Sequence, residues 1–489
     1  MSNITRKISL FLIFILMLQL CSCGLVVINY DKFAGGTEDP SATDEVSGTP
    51  NGDPEPDVTL PVIENDHSAA IKHNLSMIPD ENYNNNVFKI TSPDTSALDE
   101  DNQLEFLSEA VAKRNEYVSE KHNISLVSTK VDVEAYYGDV NTAVKSGMYY
   151  SDLMMVPQNM ISAFAAGNLI LNMRSMPGMD FDAEFFNESS IGAASGGFNA
   201  YAVAGPASIY PYSLPAVFFN KKLCSIASAD PYSLVKSGEW TWDKFFEIGI
   251  NAAENEYYFS WGTTGLDDSV YDAAFVSCGM TMIDSGIMKV PSLAFDSESA
   301  ASAVDVIKRL YADENTIRVN SNTKDYFNEG NGFFYIETLS AMADIKGSKV
   351  DWGILPLPKV SADAEYHSLA SDDSLFFSCP TTVSTPEKSA IILMSLNAAS
   401  DGIIRDAYIG YIQYNLLRDN ESANMLEYII DGTVYDFSYT FGEKYAGVAN
   451  GTYGIIRSAA KTNDTMEALI NSQKAALDRT LAISFGLSN

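Results

Sequence analysis

Positively charged residues are scarce in this chain of 489 residues. Lys and Arg together number 31 against 64 Asp and Glu, which gives a formal net charge of −33 at pH 7. A field of that sign repels nucleic acid and anionic lipid headgroups, and it disfavours a strongly anionic ligand. The composition therefore predicts no nucleic-acid partner.

Histidine and cysteine are also rare. The four histidines have no ligand spacing with one another or with a cysteine pair, so we expect no zinc site. Two of the five cysteines belong to the N-terminus, and the others are Cys224, Cys278 and Cys379. At least one of these three is unpaired, and the sequence leaves open whether the other two form a disulfide. We favour three buried thiols, because free cysteine packs as a small hydrophobe.

Signatures of catalysis are missing as well. The chain contains no Gly-x-Ser-x-Gly, no His-Glu-x-x-His and no phosphate-binding loop. A secreted glycosidase would place two carboxylates in a cleft, but 64 acidic residues offer candidate pairs everywhere. We therefore expect no enzyme, no catalytic residue, no cofactor and no metal.

The N-terminus has the features of a secretory leader. Arg6 and Lys7 precede an apolar run that is too short for the roughly 20 residues of a transmembrane helix. The run ends in Leu20-Cys21-Ser22-Cys23, which resembles the bacterial lipobox, where the cysteine is acylated and becomes the new N-terminus. We expect a signal peptide over 1–22 and lipid on Cys23, which would hold the protein on the extracytoplasmic face of a bacterial cell membrane. The alternative is an ordinary signal peptide followed by a chance cysteine.

The segment that follows lacks core-forming residues. Asp31 to Asp66 is dominated by Gly, Pro, Ser, Thr and acids. Such a composition cannot bury enough apolar area to offset its ordering entropy. We interpret 23–85 as the lipidated N-terminus and a disordered acidic tether, with ordered structure beginning near Val87.

Beyond Val87 the pattern alternates between strands and helices. Strand-like runs at Val87–Thr91, Ile124–Thr129 and Asp152–Val156 are separated by two helical stretches. This alternation predicts a parallel sheet with helices on its faces. Later in the chain we expect buried strands at Ala216–Asn220 and Gly332–Ile336. We also expect a helix that begins after Thr241, with Thr241 as its N-cap and with Trp242, Phe245 and Phe246 turned into the core.

Several segments resemble the extracellular solute-binding proteins of family 1, the lipoprotein receptors of ABC importers that mostly take sugars. Their order and spacing carry the resemblance, and they are Ser151–Asn159, Val217–Leu223, Asp230–Thr241, Phe327–Tyr335, Trp352–Pro358, Arg418–Ser422 and Asp431–Asp436. One departure is the short connection from Trp242 to Trp261, where many relatives carry an acidic insertion. This departure removes any case for a calcium loop.

The resemblance implies an α/β, two-lobed, periplasmic-binding-protein-like fold of the maltose-binding type, with hinge strands between lobes that close on a ligand. It implies a monomeric, non-enzymatic receptor that captures a carbohydrate in the interlobe cleft and delivers it to ABC permease transmembrane subunits. Contact with the membrane would be through the lipid anchor only. The expected lobes are an N-terminal one of 86–212 and 355–402 and a C-terminal one of 213–354 and 403–489.

Sugars have apolar CH faces and many hydroxyls, so a sugar site needs aromatic platforms beside polar side chains. We select polar or aromatic residues at the ends of predicted strands as ligand-binding candidates: Thr91, Ser92, Gln158, Asn159, Tyr210, Tyr212, Trp261, Thr263, Thr264, Glu337, Thr338, Asp372 and Asp373. Loop polarity and helix capping are the competing interpretation of the polar residues. Core packing is the competing interpretation of the aromatic ones.

Two other functions stay open at this point. Acidic and aromatic side chains also suit an amine or polyamine, through ion pairing and cation–π contact. A surface lipoprotein that serves in sensing or adhesion without transport would share the same leader and tether. The neighbouring genes, or a screen of ligands, would separate these functions from sugar import.

Overall fold

The computed structural model describes residues 67–100, 105–253, 259–262, 269–296, 298–312, 316–317, 323–442, 453–462 and 465–485. The leader, Cys23 and the chain up to residue 66 lie outside these ranges. The strands are β1 Asn86–Ser92, β2 Ile124–Lys130, β3 Leu153–Pro157, β4 Ser195–Gly196, β5 Asn199–Ala200, β6 Pro215–Asn220, β7 Phe259–Gly262, β8 Ile283–Asp284, β9 Ser292–Leu293, β10 Thr316–Ile317, β11 Gly332–Thr338, β12 Trp352–Leu355, β13 Ser368–Leu369, β14 Leu375–Ser378 and β15 Thr433–Val434.

The helices alternate with these strands in the first half of the chain and dominate its C-terminal part. They are α1 Ser68–Ser76, α2 Glu105–His122, α3 Val133–Lys145, α4 Gln158–Ala166, α5 Glu188–Ala193, α6 Lys221–Ile226, α7 Pro231–Ser237, α8 Trp242–Ala253, α9 Ser269–Ser277, α10 Ala301–Ala312, α11 Thr323–Asn328, α12 Ala341–Ile345, α13 Pro386–Ser400, α14 Ile403–Asn415, α15 Asn420–Asp431, α16 Phe437–Phe441, α17 Gly454–Lys461 and α18 Met466–Phe485. Within the described ranges, no helix has both the length and the apolar character needed to cross a membrane.

A four-stranded sheet has the order β14-β3-β1-β2. Strand β1 runs parallel to β2, with Phe88 opposite Leu126, and also parallel to β3. The predicted parallel arrangement of the first three strands is therefore confirmed, while β14 joins β3 antiparallel, with Phe376 opposite Val156. Every residue of β3 is buried, as expected for a strand with both faces covered.

A five-stranded sheet has the order β10-β7-β11-β6-β12. Strand β6 is antiparallel to both of its neighbours, with Phe219 opposite Phe334 of β11 and Phe218 opposite Ile354 of β12. Strands β7, β10 and β11 run parallel to one another. The strands predicted at Ala216–Asn220 and Gly332–Ile336 are confirmed, and β6 is buried along its whole length.

The chain passes between the two sheets several times. Val203 still forms a bridge with Phe377 of the four-stranded sheet, and the chain then leads through a 3-10 turn at Pro211–Ser213 into β6. It returns from β12 through β13 to β14. Farther on, α14 and α16 pack on α2 and α4 beside the four-stranded sheet, whereas α15 packs on β12 and α17 on α9 and α10. The predicted C-terminal lobe includes 403–489, and the helices of this segment contact elements beside both sheets.

An aromatic core fills the space between α8 and the five-stranded sheet. Thr241 caps α8 as predicted, because its hydroxyl accepts a hydrogen bond from the Lys244 amide at 3.3 Å. Trp242, Phe245 and Phe246 are all buried, which confirms that this face of the helix turns inward. The Phe245 ring stacks on Phe334 of β11 with 4.6 Å between centroids.

Ordered structure begins earlier than the sequence indicated. Helix α1, Ser68–Ser76, buries Ile71 and Leu75 and packs on α13. The expectation of order only from Val87, and of a disordered tether through residue 85, is therefore wrong for this stretch. Two buried side chains in a nine-residue helix are too few for hydrophobic periodicity to register in a sequence.

Cys224, Cys278 and Cys379 are free thiols, and all three are buried. This confirms the preference for three unpaired cysteines. Burial raises the pKa of each thiol above its ordinary value. The thiols are therefore protonated at neutral pH and pack as small apolar groups.

Candidate functional site

One cavity of about 180 Å³ lies where elements of both sheets end. The five-stranded sheet contributes Pro215 at the start of β6 and Thr338 at the end of β11, and the approach to β14 contributes Leu369 to Asp372. Three helices complete the wall, through Ser269 of α9, Tyr439 of α16 and Arg457 of α17. In α/β proteins, crevices at strand ends are where ligands bind. This interlobe cavity is therefore the candidate site.

A buried ion pair supports one wall of the interlobe cavity. The Asp272 carboxylate, 0% exposed, accepts a hydrogen bond from Nε of Arg457 at 2.9 Å and a second one from Nη2. The Tyr439 hydroxyl donates to the same carboxylate at 3.3 Å. Because α16 packs on α4 and α17 packs on α9, this carboxylate joins elements beside the two sheets. The Asp272 carboxylate therefore fixes the side chains of Arg457 and Tyr439, both of which line the cavity.

Burial and pairing oppose each other at this carboxylate. Burial raises the pKa of Asp272 to about 6, while the hydrogen bonds and charge of Arg457 lower it. Burial also raises the pKa of Tyr439 well above its ordinary value, and the charge of Asp272 adds to that shift. At neutral pH the pair is ionised and Tyr439 stays a neutral donor. The charge of Arg457 is thus largely balanced before any ligand arrives.

Asp372 forms an exposed rim of the interlobe cavity. Asn159 donates to it twice, from its backbone amide to the Asp372 carbonyl at 2.8 Å and from Nδ2 to the carboxylate at 3.3 Å. Thr338 lies on another wall, and its hydroxyl is 2.6 Å from that of Ser340. The structure therefore brings the candidates Asp372 and Thr338 to the cavity, with Asn159 directly behind. The ligand role of these residues stays a prediction.

The neighbouring candidates Asp373 and Glu337 make local hydrogen bonds and do not line the cavity. Asp373 accepts a hydrogen bond from the Ser371 hydroxyl, and burial raises its pKa. Glu337 is buried, and its carboxylate accepts the amide of Thr338 at 2.9 Å. Neither residue is among those that line the interlobe cavity.

The candidates at the ends of the first strands serve internal hydrogen bonds. The Gln158 amide is fully buried and donates to the carbonyl of Asp436 at 2.8 Å and to Thr440 at 3.0 Å. Gln158 therefore ties the start of α4 to the start of α16, which positions Tyr439. Thr91 bonds inside the sheet region, and Ser92 donates to the carbonyl of Asp94. Both side chains are buried and outside the interlobe cavity.

The aromatic candidates lie in packed clusters. The Trp261 side chain is 1% exposed and packs against Phe245 and Phe246, so it presents no ring face to solvent in this structure. Tyr212 is likewise 1% exposed and forms a cluster with Tyr210 and with a tyrosine of α14. Thr263 and Thr264 lie outside the described residues.

Sequence reasoning missed Arg457, Tyr439, Asp272 and Ser269. One signal was present, because Asp272 is a lone charge in the otherwise uncharged helix α9. A charge in such a position needs a buried partner. Nothing local pointed to Arg457, which is 185 residues away in sequence.

Larger depressions lie elsewhere on the surface. A groove of about 910 Å³ runs along the ends of α7 and α15 and includes Asp363 and the edge-to-face rings of Tyr366 and Tyr428. Its volume is larger than that of the interlobe cavity. The interlobe cavity remains the candidate site because it alone of the two draws on the strand ends of both sheets.

No protein-family model matches the sequence, and no curated protein does either. Solved structures do match. A cyclic α-maltosyl-1,6-maltose-binding protein from Arthrobacter globiformis aligns with a TM-score of 0.54 at 12% identity, covering 81% of this chain and 98% of the other. A cyclo/maltodextrin-binding protein complexed with maltotetraose aligns with a TM-score of 0.52 at 14% identity, and the alignment covers 81% of this chain and 97% of the other. A family 1 extracellular solute-binding protein from Bifidobacterium longum subsp. infantis aligns with a TM-score of 0.50 at 14% identity, and the alignment covers 82% of this chain and 99% of the other.

These alignments span nearly the whole length of each matched protein at low identity, so they establish the architecture. They confirm the expected α/β class with mixed sheets in two lobes and the resemblance that the sequence segments carried. This chain has the two-lobed, periplasmic-binding-protein fold of the family 1 extracellular solute-binding proteins.

Proposed function

We propose that this chain is a lipid-anchored, extracytoplasmic substrate-binding protein of an ABC importer that captures a carbohydrate in the interlobe cavity. The observation that supports this most strongly is the position of the cavity, at the strand ends of both sheets. Proteins of the same fold include one described with bound maltotetraose. A ligand that touches both sides favours closure, because it makes contacts that the open state lacks.

The lining of the interlobe cavity suits a sugar. Leu369 and Pro215 supply apolar surface for CH faces, and Thr338 supplies a hydroxyl. Asp372 can accept hydrogen bonds from ligand hydroxyls, while Arg457 presents a guanidinium wall. The other carboxylate nearby, Asp272, is committed to its ion pair. Two carboxylates that flank a glycosidic bond, as hydrolysis requires, are therefore not supplied by this pair, and the proposal is one of binding without turnover.

Binding is tested by thermal unfolding against a panel of mono- and oligosaccharides, amines and peptides. A ligand that binds only the folded state raises the midpoint, and at 100 times its Kd the stabilisation is about 2.7 kcal/mol. Small-angle scattering should show compaction with the same ligand. Hydrolysis of the bound sugar, or no response to any saccharide, would refute the proposal.

The anchor and the partner are tested separately. If Cys23 carries lipid, Cys23→Ala should move the protein from the membrane fraction to the medium, because two acyl chains are needed for stable retention. Retention of the variant in the membrane would refute the anchor. Loss of uptake of the identified sugar when the adjoining permease subunits are deleted would support import over sensing.

Amine binding is a second candidate, and one observation favours it. Asp372 makes no ion pair with a described Lys or Arg, and the Asn159 amide donates a hydrogen bond to its carboxylate. An ammonium group could supply the missing positive charge. A response to spermidine or putrescine in the same panel, with none to sugars, would assign the site to amines.

A further inference from the structure

Two charged side chains are among the described residues that line the interlobe cavity. They are Asp372 on the rim, which is exposed, and Arg457 of α17, whose side chain is 28% exposed. An isolated guanidinium on the wall of a cavity attracts a carboxylate or a phosphate, because its planar fork of N–H groups fits those anions. Whether Arg457 can act in this way depends on its own partner.

The partner of Arg457 is the buried carboxylate of Asp272. Nε and Nη2 of Arg457 both donate to it, the former at 2.9 Å, so the fork that would bind an anionic ligand already holds a carboxylate. The Asp272 side chain is 0% exposed, and its charge is therefore screened little by the solvent. An anion that approached Arg457 would meet this second negative charge beside the guanidinium. The pairing thus removes Arg457 as a receptor for acidic ligands.

The charge that remains on the lining is negative. Asp372 makes no ion pair with a described Lys or Arg, and it accepts a hydrogen bond from the neutral amide of Asn159 at 3.3 Å. Residues 263–268, which precede the lining residue Ser269, lie outside the described residues, and their sequence contains two acids and no Lys or Arg. An acidic ligand would therefore enter a field of its own sign.

We infer that Asp272 determines the charge specificity of the interlobe cavity: by occupying the guanidinium of Arg457, it makes the cavity select neutral sugars over uronic acids and sugar phosphates. The inference rests on the proposed function, because it concerns the kind of sugar that the cavity accepts. A neutral sugar loses nothing by the pairing, since its hydroxyls need hydrogen-bond partners and no opposite charge. An acidic sugar would give up the water around its anionic group beside a cation that is already paired.

Calorimetric titration of the full chain at neutral pH tests the inference with pairs of sugars that differ in charge. We use glucose with glucuronate, galactose with galacturonate, mannose with mannuronate and maltose with maltobionate. At least one neutral sugar should bind, and its acidic counterpart should bind about tenfold more weakly or worse, because like charges are brought together. An acidic sugar that binds as tightly as its neutral counterpart, or more tightly, would overturn the inference and leave the proposed function standing. Binding of no saccharide, neutral or acidic, would overturn both.

The ratio of the two affinities identifies the residue responsible. Asp272→Asn leaves Arg457 without its carboxylate, so it should tighten binding of the acidic sugar about tenfold or more relative to the neutral one. A purely structural role of Asp272 would weaken both sugars alike and leave the ratio unchanged, which would overturn the inference. Asp272→Ser removes the same charge and is the second variant if Asp272→Asn fails to fold.

The matched control is Asp363→Asn. It removes one negative charge from an exposed carboxylate in the groove beside α7, so it changes the net charge of the protein equally. The affinity ratio should stay as in wild type, because the groove is not part of the interlobe cavity. An equal change of the ratio in Asp363→Asn and Asp272→Asn would show an effect of net charge alone and would overturn the role of Asp272.

Discussion

Replacing Arg457 by Met would leave a buried charge without its partner. The Asp272 carboxylate is 0% exposed and, among the residues that the structure describes, would keep only the Tyr439 hydroxyl as a donor. Breaking a buried ion pair on one side costs about 3–5 kcal/mol. Since the Arg457 side chain is itself 28% exposed, we expect a loss of about 3 kcal/mol in the free energy of unfolding, at the lower end of that range.

The double variant separates the buried charge from simple loss of packing. Adding Asp272→Asn to Arg457→Met removes the buried charge, so the double variant should lose less stability than Arg457→Met alone. Urea unfolding of wild type, both single variants and the double variant gives the coupling energy. The effect of the substitution should also depend on pH, because a protonated Asp272 is neutral and no longer places an unpaired charge in the protein interior. Arg457→Met should therefore be less destabilised at pH 5 than at pH 8.

Two results would refute this reasoning. Additive losses in the double variant would mean that the two side chains do not interact in the folded state. A loss in Arg457→Met that does not change between pH 5 and pH 8 would mean that Asp272 is not the stranded charge.

Three further predictions concern titration and packing. The pKa of Asp272 is raised above its unfolded value, so the folded state binds a proton more tightly than the unfolded state does. The free energy of unfolding of wild type should therefore fall relative to that of Asp272→Asn as pH rises from about 4 to about 6. If urea unfolding shows no change in this difference with pH, the raised pKa is contradicted. Gly353→Ala should destabilise by about 1–3 kcal/mol, because its Cβ would overlap the Tyr232 hydroxyl and come within 2.6 Å of the Phe219 ring; an unchanged thermal midpoint would contradict that contact. Trp261→Ala should cost about 3–5 kcal/mol, because the ring is buried; weakened sugar binding at full stability would instead return Trp261 to the site.

The site was only partly predictable. Asp372 and Thr338 were selected because polar residues that follow buried strands tend to meet at one sheet edge, and both line the cavity. The same rule selected Thr91, Ser92 and Gln158, whose side chains are buried in internal hydrogen bonds. A strand end fixes where a residue lies along the sheet, but the direction of its side chain depends on which neighbours fill the space around it.

What the sequence determined by itself is local. The alternation of β1, α2, β2, α3 and β3, and the Thr241 cap of α8, follow from periodicity and from a hydroxyl that satisfies an orphan amide, both of which act over a few residues. The tertiary structure decided the rest. Asp272 meets Arg457 across 185 residues, and Gln158 meets Asp436 across 278, because the chain crosses repeatedly between two sheets. Contacts between residues so far apart depend on how whole elements pack, and no local pattern records them.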